Sequence, residues 1–293
     1  MNIVWFSRFD RYGLTKILSD KCYLKMAFKA NLGKKLNLKQ PKTFNEKLQW
    51  LKLYKRNQEY TTYVDKYKVR EYIAEKLGEE YLIPLLGVWD NPDDIDFDAL
   101  PDQFVLKCNH NSGTGMCICT DKSKLNITKV KKELKKGLKE NYYLRGREWP
   151  YKNVPRKIIA EKYMVDESGY ELKDYKFFCF DGEVKALFIA SDRGNPNEET
   201  KFDFYDEKFN HLPFVNGHPN ANRTIKCPES FEEMKRLASV LSKGMPHARI
   251  DFYDINGKIY FGEITFYPAS GLGTFTPTEW NYILGEMLEL PLK

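Results

Sequence analysis

Apolar positions recur along this chain with two periods, near 3.6 and near 2, and the changes between them mark its elements. Residues 14–31 carry an apolar stripe at helical spacing, through Ile17, Leu18, Tyr23, Leu24, Met26 and Ala27, which predicts a helix stopped by Gly33. Thr43 followed by Glu46 is capping-box spacing and opens a second helix running to about Tyr54. A third is expected over 64–77, with Val69, Tyr72, Ile73 and Leu77 buried and Gly78 ending it. Short strands follow at 81–86 and 88–89, then at 104–107 and 116–120. The lysine-rich stretch 125–140 keeps Leu125, Val130, Leu134 and Leu138 on one face and reads as a helix.

Alternation takes over in the second half. Residues 156–164 read as a strand entering a hinge, with a turn at 166–169, and 174–180 with 184–190 as a hairpin around Asp181 and Gly182. Residues 201–206 form another strand, and the loop 207–229 has few regular signals. Ser230 with Glu233 predicts a second capping box, on a helix to about Lys243. A last hairpin follows, ARIDFYDINGKIYFGEIT.

Composition narrows the class. The chain has 293 residues, 42% hydrophobic and 30% charged, enough for one large α/β unit or two to three lobes. No apolar run approaches the length of a membrane span. The opening MNIVWFSRFDRYG carries charge too early for a secretory leader, so a cytoplasmic protein is expected. The six cysteines lack metal-site spacing and read as reduced thiols. Net charge is +6, compatible with nucleotides, anionic polymers or an anionic lipid surface, and does not choose among them. The lysines of 125–140 lack interleaved arginines and aromatics, so nucleic acid is not an expected partner.

The last hairpin holds the chemistry. Arg249 and Asp251 share one strand face, as do Glu263 and Thr265. A two-residue Asn-Gly loop would put Glu263 on the face opposite Asp251, whereas a three-residue loop over 255–257 brings all four together. The three-residue loop is expected. Two carboxylates, a hydroxyl and an arginine on one face suit Mg²⁺ on a polyphosphate, with Arg249 neutralising a transferring phosphoryl group. The alternative is a half-buried hairpin with a structural salt bridge.

A second constellation is CNHNSGTG at 108–115, between the strands at 104–107 and 116–120. Small residues such as Ser112, Gly113 and Gly115 let backbone N–H groups approach phosphate oxygens, with Lys107 at the strand end as a point charge. This is not a Walker A loop, because no Gly-Lys-Ser/Thr opens a helix. His110 reads as an exposed loop histidine. The aromatic loop 141–157, with Arg145, Arg147 and Trp149, has the look of a segment closing over an acceptor.

Arg-x-Asp, a hairpin, then GEITFYPASG resembles the C-terminal metal site of the ATP-grasp enzymes, with Thr265 where the usual pattern has Asn. Together with PKTFNEKLQWLKLY near the N-terminus, the wording resembles the TupA-like branch, linked to teichuronopeptide and capsular polysaccharide synthesis. The resemblance implies an α+β ATP-grasp fold, with an N-terminal helical region (1–99), a central lobe with the glycine-rich flap (100–164) and a C-terminal lobe (165–293). It implies ATP and Mg²⁺. Asp251, Glu263 and Thr265 would hold the metal, and Lys66 would reach the phosphates. Glu161, Tyr163 and Met164 would line the adenine slot, with Asp174 near the ribose and Lys176 near phosphate or substrate. Arg193 is a candidate for the substrate carboxylate.

The implied reaction is amide formation through an acyl phosphate. It would join a hexuronic acid of a capsule or cell-wall glycan to an amino acid or amino alcohol, and it leaves room for peripheral contact with a capsule-assembly complex. Two other classes stand beside it. A polysaccharide glycosyltransferase would commonly carry Asp-x-Asp, and the Asp pairs at 203/206 and 251/254 miss that spacing. A non-catalytic nucleotide-binding protein would hold ATP without turnover.

Overall fold

The computed structural model describes residues 3–11, 13–169, 171–193 and 198–291. Helices lead: α1 (Ile3–Arg11), α2 (Asp20–Leu32), α3 (Phe44–Tyr54), α4 (Glu59–Val64) and α5 (Val69–Lys76). The helix expected from residue 14 begins only at Asp20, because the Ser19 hydroxyl caps it by accepting the Cys22 N–H at 3.3 Å. Ile17, placed on the stripe by periodicity, lies before that cap and is 90% exposed. Gly33 ends α2 as expected, its N–H reaching the Lys29 carbonyl at 3.0 Å. The first capping box forms: Thr43 Oγ1 accepts the Glu46 N–H and Glu46 Oε2 accepts the Thr43 N–H.

The helix expected over 64–77 is broken at its start. Asp65 Oδ1 accepts the N–H groups of Tyr67 (2.9 Å) and Lys68 (3.2 Å), so the chain turns between α4 and α5 and Lys66 stands in that turn.

The first sheet runs β1 (Leu85–Trp89), β4 (Ile158–Lys162), β2 (Phe104–Cys108), β3 (Met116–Cys119), all neighbours antiparallel. Residues 81–84, expected as strand, precede β1. Helix α6 (Ile127–Lys139) covers one face, packing Val130 and Leu134 on Phe104, Leu106, Ile158 and Ala160. Register puts Val105, Lys107, Ile159 and Glu161 on the other face.

The second sheet has the order β10 (Lys258–Thr265), β9 (Ala248–Ile255), β5 (Asp174–Phe180), β6 (Glu183–Ser191), β7 (Lys201–Asp206). Helix α7 (Phe231–Ser242) backs it, with Met234, Leu237 and Leu241 in the core that holds Phe177, Ile250 and Phe252. The second capping box does not form. Ser230 has helical backbone angles and its hydroxyl donates to Asp254, while Glu233 pairs with Arg236 at 2.7 Å. Two short strands, β8 (Val215–Asn216) and β11 (Phe275–Thr276), pair antiparallel, and α8 (Glu279–Met287) follows.

The loop 141–157 is packed rather than free to close. Arg147 is buried, donates to the Thr15 carbonyl at 2.8 Å and lies over the Tyr23 ring. The Trp149 indole N–H donates to the Tyr267 hydroxyl at 3.0 Å. Of the arginines named there, Arg145 is exposed and pairs with Glu140.

Candidate active site

The hairpin reaches the expected face by an unexpected route. Lys258 pairs with Ile255, so the loop is the two-residue Asn256-Gly257 turn, with φ 54° and 82°. That register alone would turn Glu263 away from Asp251. A bulge intervenes: Phe261 faces Phe252, the register shifts across Gly262, and Glu263 then faces Asp251 while Thr265 faces Arg249. The bulge needs a residue without a side chain, since a Cβ on Gly262 would lie 3.0 Å from the Asp251 carbonyl oxygen.

Arg249, Asp251, Glu263 and Thr265 thus converge. The Arg249 guanidinium grips Asp251 with two bonds of 2.7 Å and reaches Glu263 Oε1 at 2.9 Å and Thr265 Oγ1 at 3.0 Å. β5 adds the next row: Lys176 is in register with Asp251, its ammonium contacts Asp251 Oδ2, and Asp174 Oδ1 is 3.3 Å away. Arg193, at the end of β6, contacts the other Asp174 oxygen. Burial lowers the Lys176 pKa, with Asp251 pulling it back up.

Glu263 is the open carboxylate of this group, its side chain 37% exposed. Desolvation would raise its pKa, but Arg249, Lys176, Lys66 and Lys107 outweigh that and hold it at about 2. Two of those cations belong to the other side of the site.

There, Lys107 Nζ meets Glu161 Oε2 at 2.6 Å, and Arg70 approaches Glu161 Oε1 at 3.6 Å. Lys66 donates to the Asn111 carbonyl at 2.7 Å, and burial lowers its pKa. Buried Asn109 ties these parts together. It donates to Asp65 Oδ1 (2.7 Å) and the Pro155 carbonyl (2.8 Å) and accepts the Lys157 N–H (2.7 Å). Sequence reading missed Asn109 and Arg70; two asparagines beside a strand end were the available signal.

Only part of the flap is free. Ser112 and Gly113 are exposed, but Gly115 is buried against α6, where a Cβ would come within 2.8 Å of the Gly137 Cα. His110, expected exposed, is buried, with Nε2 3.2 Å from the Glu140 carbonyl, and burial pushes its pKa down to about 4. Met116 and Ile118 share the Lys107 face of the sheet and are 52% and 56% exposed, an apolar floor that sequence reading did not assign. Tyr163 and Met164 follow β4 and are half-buried.

Helix α3 braces the chain just beyond Thr265. Asn45 donates to the Gly273 carbonyl, Gln49 to the Ser270 and Gly271 carbonyls, and Lys52 to the Gly146 and Ser270 carbonyls and the Ser270 hydroxyl, with N···O distances of 2.8–3.0 Å. The loop so held is strained, with Ala269 and Ser270 at φ 47° and 54°. Glu46, within the family-like FNEK stretch, caps its own helix.

The donor set suits a divalent cation on a polyphosphate. Asp251 and Glu263 offer carboxylate oxygens of the kind hard cations prefer, and around them Arg70, Lys66, Lys107, Lys176, Arg193 and Arg249 outnumber Glu161, Asp174, Asp251 and Glu263. Among the described residues no group of three or more His, Cys, Asp or Glu side chains forms an all-protein metal cage. No helix among them is long and apolar enough to cross a membrane.

A sequence profile of the family described as TupA-like ATPgrasp matches residues 46–289. No curated protein sequence matches the chain. Solved structures resemble it distantly. A D-alanine–D-alanine ligase from Bacillus anthracis complexed with ATP is 17% identical at TM-score 0.44, over 78% of this chain and 63% of that one. The Helicobacter pylori D-alanine–D-alanine ligase is 15% identical at TM-score 0.44, over 84% and 69%. An Aspergillus clavatus N5-carboxyaminoimidazole synthase is 13% identical at TM-score 0.39, over 70% and 44%. At such distances none of them lends a residue role to this chain.

Proposed function

The chain belongs to the TupA-like ATP-grasp family, and we propose that it is an ATP-dependent ligase joining a carboxylate to an amine through an acyl phosphate. The observation that carries this reading is electrostatic. Glu263 is held ionised by Arg249 and Lys176 on its own sheet, by Lys107 on the other sheet and by Lys66 in the turn between α4 and α5, so both sides address one charged space. Surplus fixed positive charge around an ionised carboxylate suits a nucleoside triphosphate carrying Mg²⁺.

In this reading Asp251 and Glu263 hold Mg²⁺ with Thr265 beside them, and the bound ion would offset charge as ADP leaves. Both Asp251 oxygens are engaged by Arg249 and Lys176, so admitting a cation asks Lys176 to lean toward Asp174, 3.3 Å away. Lys66, Lys107 and the exposed flap N–H groups at Ser112 and Gly113 take the phosphates, while buried Gly115 anchors the flap against α6. Glu161, Tyr163 and Met164 take the adenine edge over the Met116 and Ile118 floor, and Asp174 lies on the ribose side. Arg193 orients the substrate carboxylate, and Arg249 and Lys176 face the transferring phosphoryl group.

The substrate carboxylate oxygen attacks the γ-phosphorus, the bond to the bridging oxygen breaks, and ADP departs with that electron pair. The amine nitrogen then attacks the acyl carbon, phosphate leaves with the C–O electron pair, and the spare proton passes to solvent. No protein nucleophile is required. For substrates the reading takes a hexuronic acid of a capsular or cell-wall glycan, or its precursor, and an amino acid or amino alcohol. The supporting argument is the family link to such polysaccharides. The reading puts the protein in the cytoplasm, where ATP is at hand.

The test is ADP release from Mg-ATP with glucuronate, galacturonate or their nucleotide-linked forms, paired with ethanolamine, glycine or serine. ADP formation that needs both partners supports the ligase. ATP binding with no ADP from any pair would replace it with a non-catalytic nucleotide-binding protein.

A further inference from the structure

Glu148 lies beside this site with no cation of the chain in contact. It is 7% exposed, yet among the described residues no Lys, Arg or His nitrogen comes within 4.0 Å of it. The nearest cations are committed elsewhere. Lys52 spends all three of its hydrogens on Gly146 and Ser270, each at 2.8 Å, and Arg249 is bound to Asp251, Glu263 and Thr265. The Ser270 hydroxyl, itself held by Lys52, is hydrogen-bonded to Glu148, which leaves the buried carboxylate with a neutral partner and no cation in contact.

The surroundings fit a small organic cation. Tyr142 and Tyr151 pack edge to face with centroids 4.8 Å apart, and both sense the charges of Glu148 and Glu263. The backbone N–H of Tyr151 donates to the Glu148 carbonyl at 3.2 Å, so this ring pair and the carboxylate belong to one turn. Gly146 keeps the floor low, because a Cβ there would collide with Ser270 Oγ at 1.9 Å and touch Glu148 Oε1 at 3.6 Å. A carboxylate flanked by aromatic rings attracts an ammonium by charge and by cation–π contact together. Burial raises the Glu148 pKa, opposed by the Lys52 charge and the Ser270 hydrogen bond.

We propose that Glu148, walled by Tyr142 and Tyr151, is the subsite that receives the ammonium group of the amine substrate. The proposal deepens the ligase reading and rests on it for the chemistry, but its test is one of binding. Ethanolamine, glycine and L-serine are titrated calorimetrically into the full chain with Mg-ADP present, alongside ethylene glycol, which lacks the ammonium. At least one amine should bind and ethylene glycol should not. Glu148→Gln should weaken that amine at least tenfold while leaving ADP affinity unchanged. Equal amine affinity in the variant, or no amine binding to the unaltered chain, overturns the subsite. Should Glu148→Gln fail to fold, Glu148→Asp retracts the charge by one methylene. Weakened amine binding there supports the assignment and unchanged binding overturns it. Because ADP release is not the readout, this result and the ligase test fail independently.

Discussion

Glu263 faces Asp251 across the last hairpin because Gly262 is one residue out of register between them. The bulge converts a two-residue turn, which would point the two carboxylates to opposite faces, into a shared site. Gly262→Ala should therefore hurt both the fold and the site. A Cβ 3.0 Å from the Asp251 carbonyl oxygen requires the paired strand to give by a few tenths of an ångström, an overpacking cost of about 1–2 kcal/mol. Urea denaturation with ADP release checks it; wild-type values for both would mean the strand pair absorbs a methyl group.

Lys107 lies closer to Glu161, at 2.6 Å, than Arg70 does, at 3.6 Å, and the proposed function gives it the phosphates. Lys107→Ala should raise the apparent KM for ATP about tenfold, the loss of one charge-assisted contact worth ~1.4 kcal/mol. Steady-state kinetics with ATP varied measures this. An unchanged KM would reduce the flap to a turn between two strands.

Lys52 is fully buried, and burial lowers its pKa to about 8, which leaves it charged at neutral pH. Lys52→Met keeps the volume and removes the ammonium, stranding the carbonyls of Gly146 and Ser270. A loss of about 2–4 kcal/mol is expected in chemical denaturation. A loss under 1 kcal/mol would show that the strained loop after β10 needs no brace.

Two buried histidines set an acid limit. Burial lowers His110 to about 4 and His247 to about 3, both below the ordinary 6.5. Between those values and pH 6.5 the unfolded chain binds more protons than the folded one, so stability rises with pH across that window and falls on acidification. For His110 the loss at pH 4 is about 3 kcal/mol. Melting temperature against pH should drop from pH 6.5 downward, and His110→Gln should flatten part of the slope.

Much of this was legible in the chain. Strands at 104–108, 174–180 and 201–206 follow their alternation, and the Thr43–Glu46 box sits where its spacing put it. Local patterns fail where a distant partner decides. Ser230 and Glu233 have capping spacing, but Asp254 and Arg236 take their side chains. His110 looks exposed because nothing nearby in sequence announces that α6 will cover it. The face shared by Asp251 and Glu263 was foreseen through the wrong device. Turn length is a local property, whereas the bulge at Gly262 answers to strand packing several residues away. That Glu148 has no cation in contact could not be seen, since that depends on where Lys52 and Arg249 point.

The central claim is that Glu263 serves a magnesium-nucleotide. Glu263→Gln keeps the shape and removes the charge, and Mg-ATP affinity measured by calorimetry is the direct readout. The account predicts a fall of at least tenfold together with loss of ADP release, in a variant that still melts cooperatively. Mg-ATP affinity equal to that of the unaltered chain would contradict it.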